Sequence, residues 1–345
     1  MSKKFNVGMI GYGWAAGAHI DAINATSNAE VTAVYSSRKL NDAELSAKHG
    51  RPMKSYTDLD ALLASDVDAV DISSYPSQHK DQAVAAAKAG KHIILEKPMA
   101  MTLEDCRAIV KAAADNKVKG CVCFECRFSG QFTGTKALLD EGLLGDLHYG
   151  EIDYYHGIGP WYGQFRWNTF KKDGGSALLT AGCHALDALL MFMGNDVEAV
   201  SSISTKSKSE IFAPYEYDTS SVTILHFKGG RIGKSAAIVD CLQPYYFHTH
   251  LVGSHGSLLD NKFHSAKLHT NKAGWSQLNM KMLDSGDVSD HPYQTQFQAF
   301  FDALEAGKDM PLTSFAESLK TFEVLFAADK SAEEGGRLVK LSELA

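Results

Sequence analysis

The chain has 345 residues, 45% of them hydrophobic and 22% charged, which is ordinary for a globular protein and long enough for two domains with cores of their own. Its formal net charge of −7 disfavours a polyanionic partner, so nucleic acid is not expected. The start of the chain lacks an apolar leader and no run of about 18 apolar residues follows, so no membrane partner is expected and the cytoplasm is the default location.

The first apolar run, residues 5–10, predicts a strand. It leads into Gly11-Tyr12-Gly13-Trp14-Ala15-Ala16, a G-x-G-x-x-A turn, and then into a helical pattern through Ile20 and Ile23. In this setting Gly11 permits the bend and Gly13 lets the backbone approach a pyrophosphate. Ala16 keeps helix and strand close, and the helix start offers free N–H groups to phosphate oxygens. Residues 11–15 are therefore expected to bind a dinucleotide. At the end of the second strand, 31–35, a site preferring NAD usually carries an acidic residue. Here Ser36, Ser37 and Arg38 follow, which suits the 2′-phosphate of NADP better, with NAD possible. A third strand, 68–72, precedes the loop Ser73-Ser74-Tyr75-Pro76, and an alanine-rich helix runs from Gln78 to Ala89, with Gly90 as its cap.

The fourth strand, 92–95, ends in Glu96-Lys97-Pro98. Ligands of open α/β sheets bind at the carboxyl ends of the strands, which puts the Lys97 amine where it can meet one. A helix from Thr102, predicted as its N-cap, to Asn116 and a strand over 119–124 complete a βαβ rhythm, read as a doubly wound parallel sheet over 1–125. From 126 to 345 the pattern changes. Strand-like runs at 147–156, 197–206, 221–227, 233–241 and 247–253 follow with little helix between them, which predicts an α/β domain with an open, mainly antiparallel sheet. Helices are expected at 178–192, 292–306 and 315–334.

The run from Gly174 to Asp187 is the second stretch rich in chemistry. Its glycines allow close backbone approach. Thr180, His184 and Asp187 recur at helical spacing, so a titrating imidazole shares a face with a hydroxyl and a carboxylate that could orient it. Tyr155, His156, Trp161, Arg166 and Trp167 supply aromatic faces and hydrogen-bonding groups suited to a sugar, or alternatively packing for a core. The six cysteines read as reduced, buried thiols; Cys121, Cys123 and Cys126 have no second pair at finger spacing. His248-x-His250 supplies only two ligands, so no metal is expected.

Three motifs taken together resemble the Gfo/Idh/MocA family of glucose-fructose oxidoreductases and inositol dehydrogenases. They are Gly11-x-Gly13-x-x-Ala16-x-x-His19, the stretch from Ala89 through Glu96-Lys97-Pro98-Met99, and the glycine run ending in His184-x-x-Asp187. The likeness extends over nearly the whole chain. It implies an N-terminal Rossmann domain, a C-terminal domain whose sheet often serves in oligomer contacts (a dimer or tetramer), catalytic roles for Lys97 and His184, and a cis bond before Pro98. It also implies cofactor contacts from Ser73, Ser74, Tyr75, His79, Glu96 and Lys97. Two departures stand out: Thr180 replaces an aspartate that many members carry, and the loop proline is displaced to Pro76. The implied activity is NAD(P)-dependent interconversion of a secondary alcohol and a ketone on a sugar, cyclitol or related polyol. A glycosidase that retains its NAD and a non-catalytic sugar sensor are the alternatives.

Overall fold

The computed structural model describes residues 4–268, 274–283 and 291–344. Backbone contacts divide the chain into two compact units, Met1–Glu125 with Pro292–Leu319, and Cys126–His291 with Lys320–Ala345.

The first unit alternates strand and helix: β1 (Phe5–Ile10), α1 (Ala16–Asn24), β2 (Ala29–Tyr35), α2 (Asp42–His49), β3 (Lys54–Tyr56), α3 (Leu59–Leu63), β4 (Ala69–Ile72), α4 (Pro76–Lys88), β5 (His92–Leu95), α5 (Leu103–Asp115) and β6 (Gly120–Val122). The six strands lie parallel in the order β3-β2-β1-β4-β5-β6. The order reverses between β1 and β4, which is where doubly wound sheets bind their ligands. Both faces are covered, so β4 is buried along its whole length and β5 in all but His92. Local chemistry sets the helix ends. Asn41 caps α2 by accepting from the backbone N–H groups of Ala43 and Glu44, and the Thr102 hydroxyl accepts from the N–H of Asp105 at 3.1 Å. Pro76 occupies the first turn of α4, where a missing N–H costs nothing.

The second unit opens with α6 (Gly130–Asp140) and β7 (Leu147–Tyr155), followed by short helices α7 (Phe165–Asn168) and α8 (Lys171–Gly174), a π turn (Leu178–Gly182) and α9 (Cys183–Met193). Strands β8 (Val197–Thr205), β9 (Ser220–Phe227), β10 (Ile232–Ile238), β11 (Tyr246–Gly253), β12 (Gly256–Leu259), β13 (Lys262–Ser265) and β14 (Ser276–Gln277) come next. The chain closes with α10 (Tyr293–Glu305), α11 (Phe315–Glu333) and β15 (Val339–Lys340). Nine strands form one sheet in the order β14-β13-β12-β11-β7-β10-β9-β8-β15, antiparallel except for the β10–β7 pair. Helix α9 covers one face: a side chain at Gly150 or Gly233 would run into Leu189. The segment Lys171–Met193 is long and apolar enough to cross a membrane, but 89% of its most apolar window is buried within the protein.

Candidate active site

At the carboxyl edge of the first unit's sheet, β1 turns into α1 through Gly11, which has φ +98. A Cβ there would also lie 2.9 Å from the Ser74 nitrogen, so only glycine fits. Around Gly13 the space is open, with nothing within 4 Å of where a side chain would begin. No side chain caps α1, and its first turn holds no acidic residue. The turn can thus admit a diphosphate against unshielded N–H groups, and these residues fit a dinucleotide. Trp14 is 40% exposed beside this turn, while the Tyr12 hydroxyl is turned toward α2, 2.9 Å from His49 and 3.0 Å from the Lys48 ammonium. Beyond β2, Ser37 and Arg38 are exposed. Ser36 is buried, and its hydroxyl accepts from the Arg38 N–H at 3.2 Å, which shapes the loop rather than facing outward.

The loop after β4 and the residues after β5 are tied from beneath. His79 is fully buried, with Nδ1 2.8 Å from the Pro98 carbonyl and Nε2 3.3 Å from the Ser74 carbonyl, and burial pushes its pKa down. It therefore supports the backbone from below instead of contacting a nicotinamide. The Ser73 hydroxyl donates to Asp71 (2.7 Å) and that of Ser74 to Gln82 (2.5 Å), while Tyr75 is half exposed at the start of α4. Glu96 is also turned inward. Its Oε1 accepts from His19 Nε2 (3.0 Å) and Tyr293 (3.1 Å), and its Oε2 from the backbone N–H of Lys97 (2.8 Å). The other ring nitrogen of His19 meets Asp71 at 2.8 Å. Carboxylates only accept, so both nitrogens carry protons. Burial opposes that charge, but Asp71 and then Glu96 overcome it and raise the His19 pKa to about 10. Burial also works against ionising Glu96, yet the His19 hydrogen bond and charge, helped by the Lys97 ammonium, hold its carboxyl below the usual range. The Lys97–Pro98 peptide is cis, and the Lys97 side chain is half buried.

In the second unit, the π turn widens the helix just before His184. Gly182 lets this turn lie close against β10: a Cβ there would lie 2.3 Å from that of Ala237. The Ser176 hydroxyl caps the turn by accepting from the Leu179 N–H (2.9 Å), and donates to Asp329 (2.9 Å). Thr180 and His184 are both 3% exposed. Asp187 does not orient His184. Its carboxylate takes Arg127 in a bidentate pair, 2.6 Å to Nε and 2.7 Å to Nη2, and the Thr321 hydroxyl at 2.8 Å. Both partners of the ion pair are buried, so Asp187 fastens α9 to its surroundings and does not meet a substrate.

Of the aromatic residues, His156 and Trp161 come together with Gly157, Tyr162, Cys241 and Tyr245 around a cavity of about 520 Å³. Tyr154 lies 2.8 Å from His156 Nδ1, and the rings of Tyr162 and Tyr245 stand edge-on to the imidazole. Trp161 donates to the Gly157 carbonyl at 2.9 Å and remains 61% exposed. Arg166 and Trp167 sit on α7, the arginine exposed. Tyr155 is excluded from this group by the strand's period of two. It points to the opposite face of the sheet, toward Asp153 and Tyr246. Tyr245, absent from the sequence-predicted set, belongs to the cavity; its only signal is an aromatic position just before β11.

Residues 5–124 match the Gfo/Idh/MocA oxidoreductase family's NAD-binding Rossmann fold, and residues 132–259 match the same family's C-terminal domain. The chain is 28% identical over 350 residues to an inositol 2-dehydrogenase of Pseudomonas fluorescens, covering 99% of this chain and 97% of that one. It is 26% identical over 343 residues to a myo-inositol 2-dehydrogenase of Thermotoga maritima, covering 98% and 99%. Its fold is shared with scyllo-inositol dehydrogenase from Lactobacillus casei, solved with NAD(H) and scyllo-inositol: TM-score 0.81, 20% identity, 99% and 100% coverage.

Proposed function

The chain belongs to the Gfo/Idh/MocA oxidoreductase family, and we propose that it interconverts a secondary alcohol and a ketone on a sugar, cyclitol or related polyol, using NADP in preference to NAD. The observation that carries this reading is that Gly11, the open approach at Gly13, the Ser73–Tyr75 loop and Lys97 all lie at the carboxyl edge of one parallel sheet. When bound there, the nicotinamide supplies the site that takes or gives the hydride. The chain's own task is to hold the alcohol carbon and move one proton. His184 acts as the base for the hydroxyl proton. The Lys97 ammonium stabilises the charge that develops on that oxygen. Thr180 orients the substrate through its hydroxyl, and His156, Trp161, Arg166 and Trp167 supply aromatic faces and donors to the rest of the ring. Arg38, with Ser37, reads the 2′-phosphate of NADP.

The enzyme is read as cytoplasmic and as a homo-oligomer. Ile203, Val222, Ile224 and Ile232 are exposed on the sheet face away from α9, which supports a second copy of this chain as the partner there. The functional test is a panel of sugars and cyclitols offered with each cofactor, followed by the near-ultraviolet absorbance of the reduced nicotinamide. Steady accumulation of reduced cofactor with at least one polyol is the expected result. Cofactor that stays bound and is recycled while glycosidic bonds break would favour a glycosidase instead.

A further inference from the structure

The face of the nine-stranded sheet away from α9 gathers a polar cluster that hydride transfer does not use. Two-residue periodicity puts Glu151 of β7 and His248 and His250 of β11 on that face. The antiparallel register then sets His250 directly opposite Glu151, and His248 opposite Asp153. The sequence shows only the two histidines; pairing with β7 adds the third donor. One ligand atom from each of Glu151, His248 and His250 lies within 4.8 Å of the others, with His248 Nε2 3.9 Å from Glu151 Oε2. Donors around a tetrahedral zinc-class ion stand roughly 3.4 Å apart, given bonds of about 2.0–2.1 Å. Small side-chain movements close the difference.

The surroundings orient these donors. Asp260 Oδ1 faces His248 Nδ1 at 3.5 Å, and its other oxygen accepts from Tyr246 at 2.7 Å. A carboxylate on Nδ1 leaves Nε2 as the ligating nitrogen, and Nε2 is the atom that faces Glu151. Tyr149 donates to Glu151 Oε2 at 2.8 Å, and its ring stands edge-on to His250. Lys234 already occupies part of the cluster, 2.6 Å from Glu151 Oε1 and 2.7 Å from Asp153. Two carboxylates therefore face one ammonium, and Glu151 keeps an oxygen on the histidine side. His248 and Glu151 are 22% and 18% exposed in the single chain, so an ion can enter before a second copy covers this face.

We propose that Glu151, His248 and His250 form a site for one divalent transition-metal ion of the zinc class, with Asp260 behind His248 and Lys234 as the resident competitor. The test uses the full chain, free of any histidine tag and stripped with chelator, titrated with zinc chloride by calorimetry and with cobalt(II) by visible absorption. One ion should bind per chain, and His250→Ala should abolish detectable binding. Asp260→Asn should weaken it by about 10–100-fold. Lys234→Met removes the competing cation and should tighten binding several-fold, a gain that a merely misfolded variant cannot produce. No binding at millimolar zinc would overturn the site. So would affinity unchanged in both His248→Ala and His250→Ala, a thiolate charge-transfer band with cobalt, or no gain in Lys234→Met.

Discussion

Lys97 lies two residues beyond the end of β5, its backbone N–H held by Glu96 and its peptide to Pro98 cis. In the proposed reaction its ammonium acts mainly in the transition state, and little of the dinucleotide's grip rests on it. Lys97→Ala is therefore expected to lower kcat by about 10²–10³-fold. The cofactor Kd, read by fluorescence titration, should change less than about threefold. A matched loss in both would recast Lys97 as a binding residue. Arg38 is exposed in the loop that Ser36 shapes. Arg38→Ala should raise KM for NADP by about tenfold or more and leave NAD within about twofold, since only the former has a phosphate to lose. At this scale the sequence located chemistry better than orientation. Lys97 at the strand end was legible because an apolar run stops there. Asp187 was misleading because helical spacing says which side chains share a face, not that Arg127, 60 residues away in sequence, claims the carboxylate. Tyr155 and His156 are neighbours in sequence but point to opposite faces, and which face holds a cavity depends on the packing of distant segments.

The turn joining β1 to α1 is secured to β4 and β5 by one buried imidazolium, His19, held by Asp71 and Glu96. His19→Gln leaves two buried carboxylates without their cation and should cost roughly 3–5 kcal/mol of stability in denaturant melts. The pH dependence has a definite sign. The folded pKa, about 10, lies above the ordinary 6.5. The His19 contribution is therefore fully present below about 6.5 and is lost as pH rises through about 10. The gap between wild type and His19→Gln should shrink over that window. In the second unit, Gly182→Val would force a branched side chain onto Ala237 and displace the π turn below His184. A loss of about 1–3 kcal/mol, with a larger proportional loss of turnover, is expected from thermal melts and assays of the same preparation. The alternation of β1 through β6 with their helices was legible because apolar runs and caps such as Thr102 repeat. Strand β3, with three residues and none buried, carries no such pattern and forms only because it pairs with β2. The π turn was also illegible, since a one-residue widening of a helix leaves the apolar pattern almost intact.

Across the whole chain, the proposed reaction draws on both units: a parallel sheet suited to a dinucleotide in the first, and in the second His184 on α9 and the aromatic cavity. The same second sheet leaves Ile203 (67% exposed), Val222, Ile224 and Ile232 uncovered. Ile203→Glu combined with Ile232→Glu should reduce the mass measured by light scattering to that of a single chain, because burying charge against a second copy is costly; an unchanged mass would place the interface elsewhere. The functional claim is tested most directly by a single turnover with a polyol identified in the panel and deuterated on the carbinol carbon. Wild type should deliver the label to C4 of the nicotinamide with one equivalent of ketone formed, while Lys97→Ala, with the same cofactor bound, should deliver little on that timescale. Ketone formation with the label lost to water, or equal label transfer by Lys97→Ala, would contradict it.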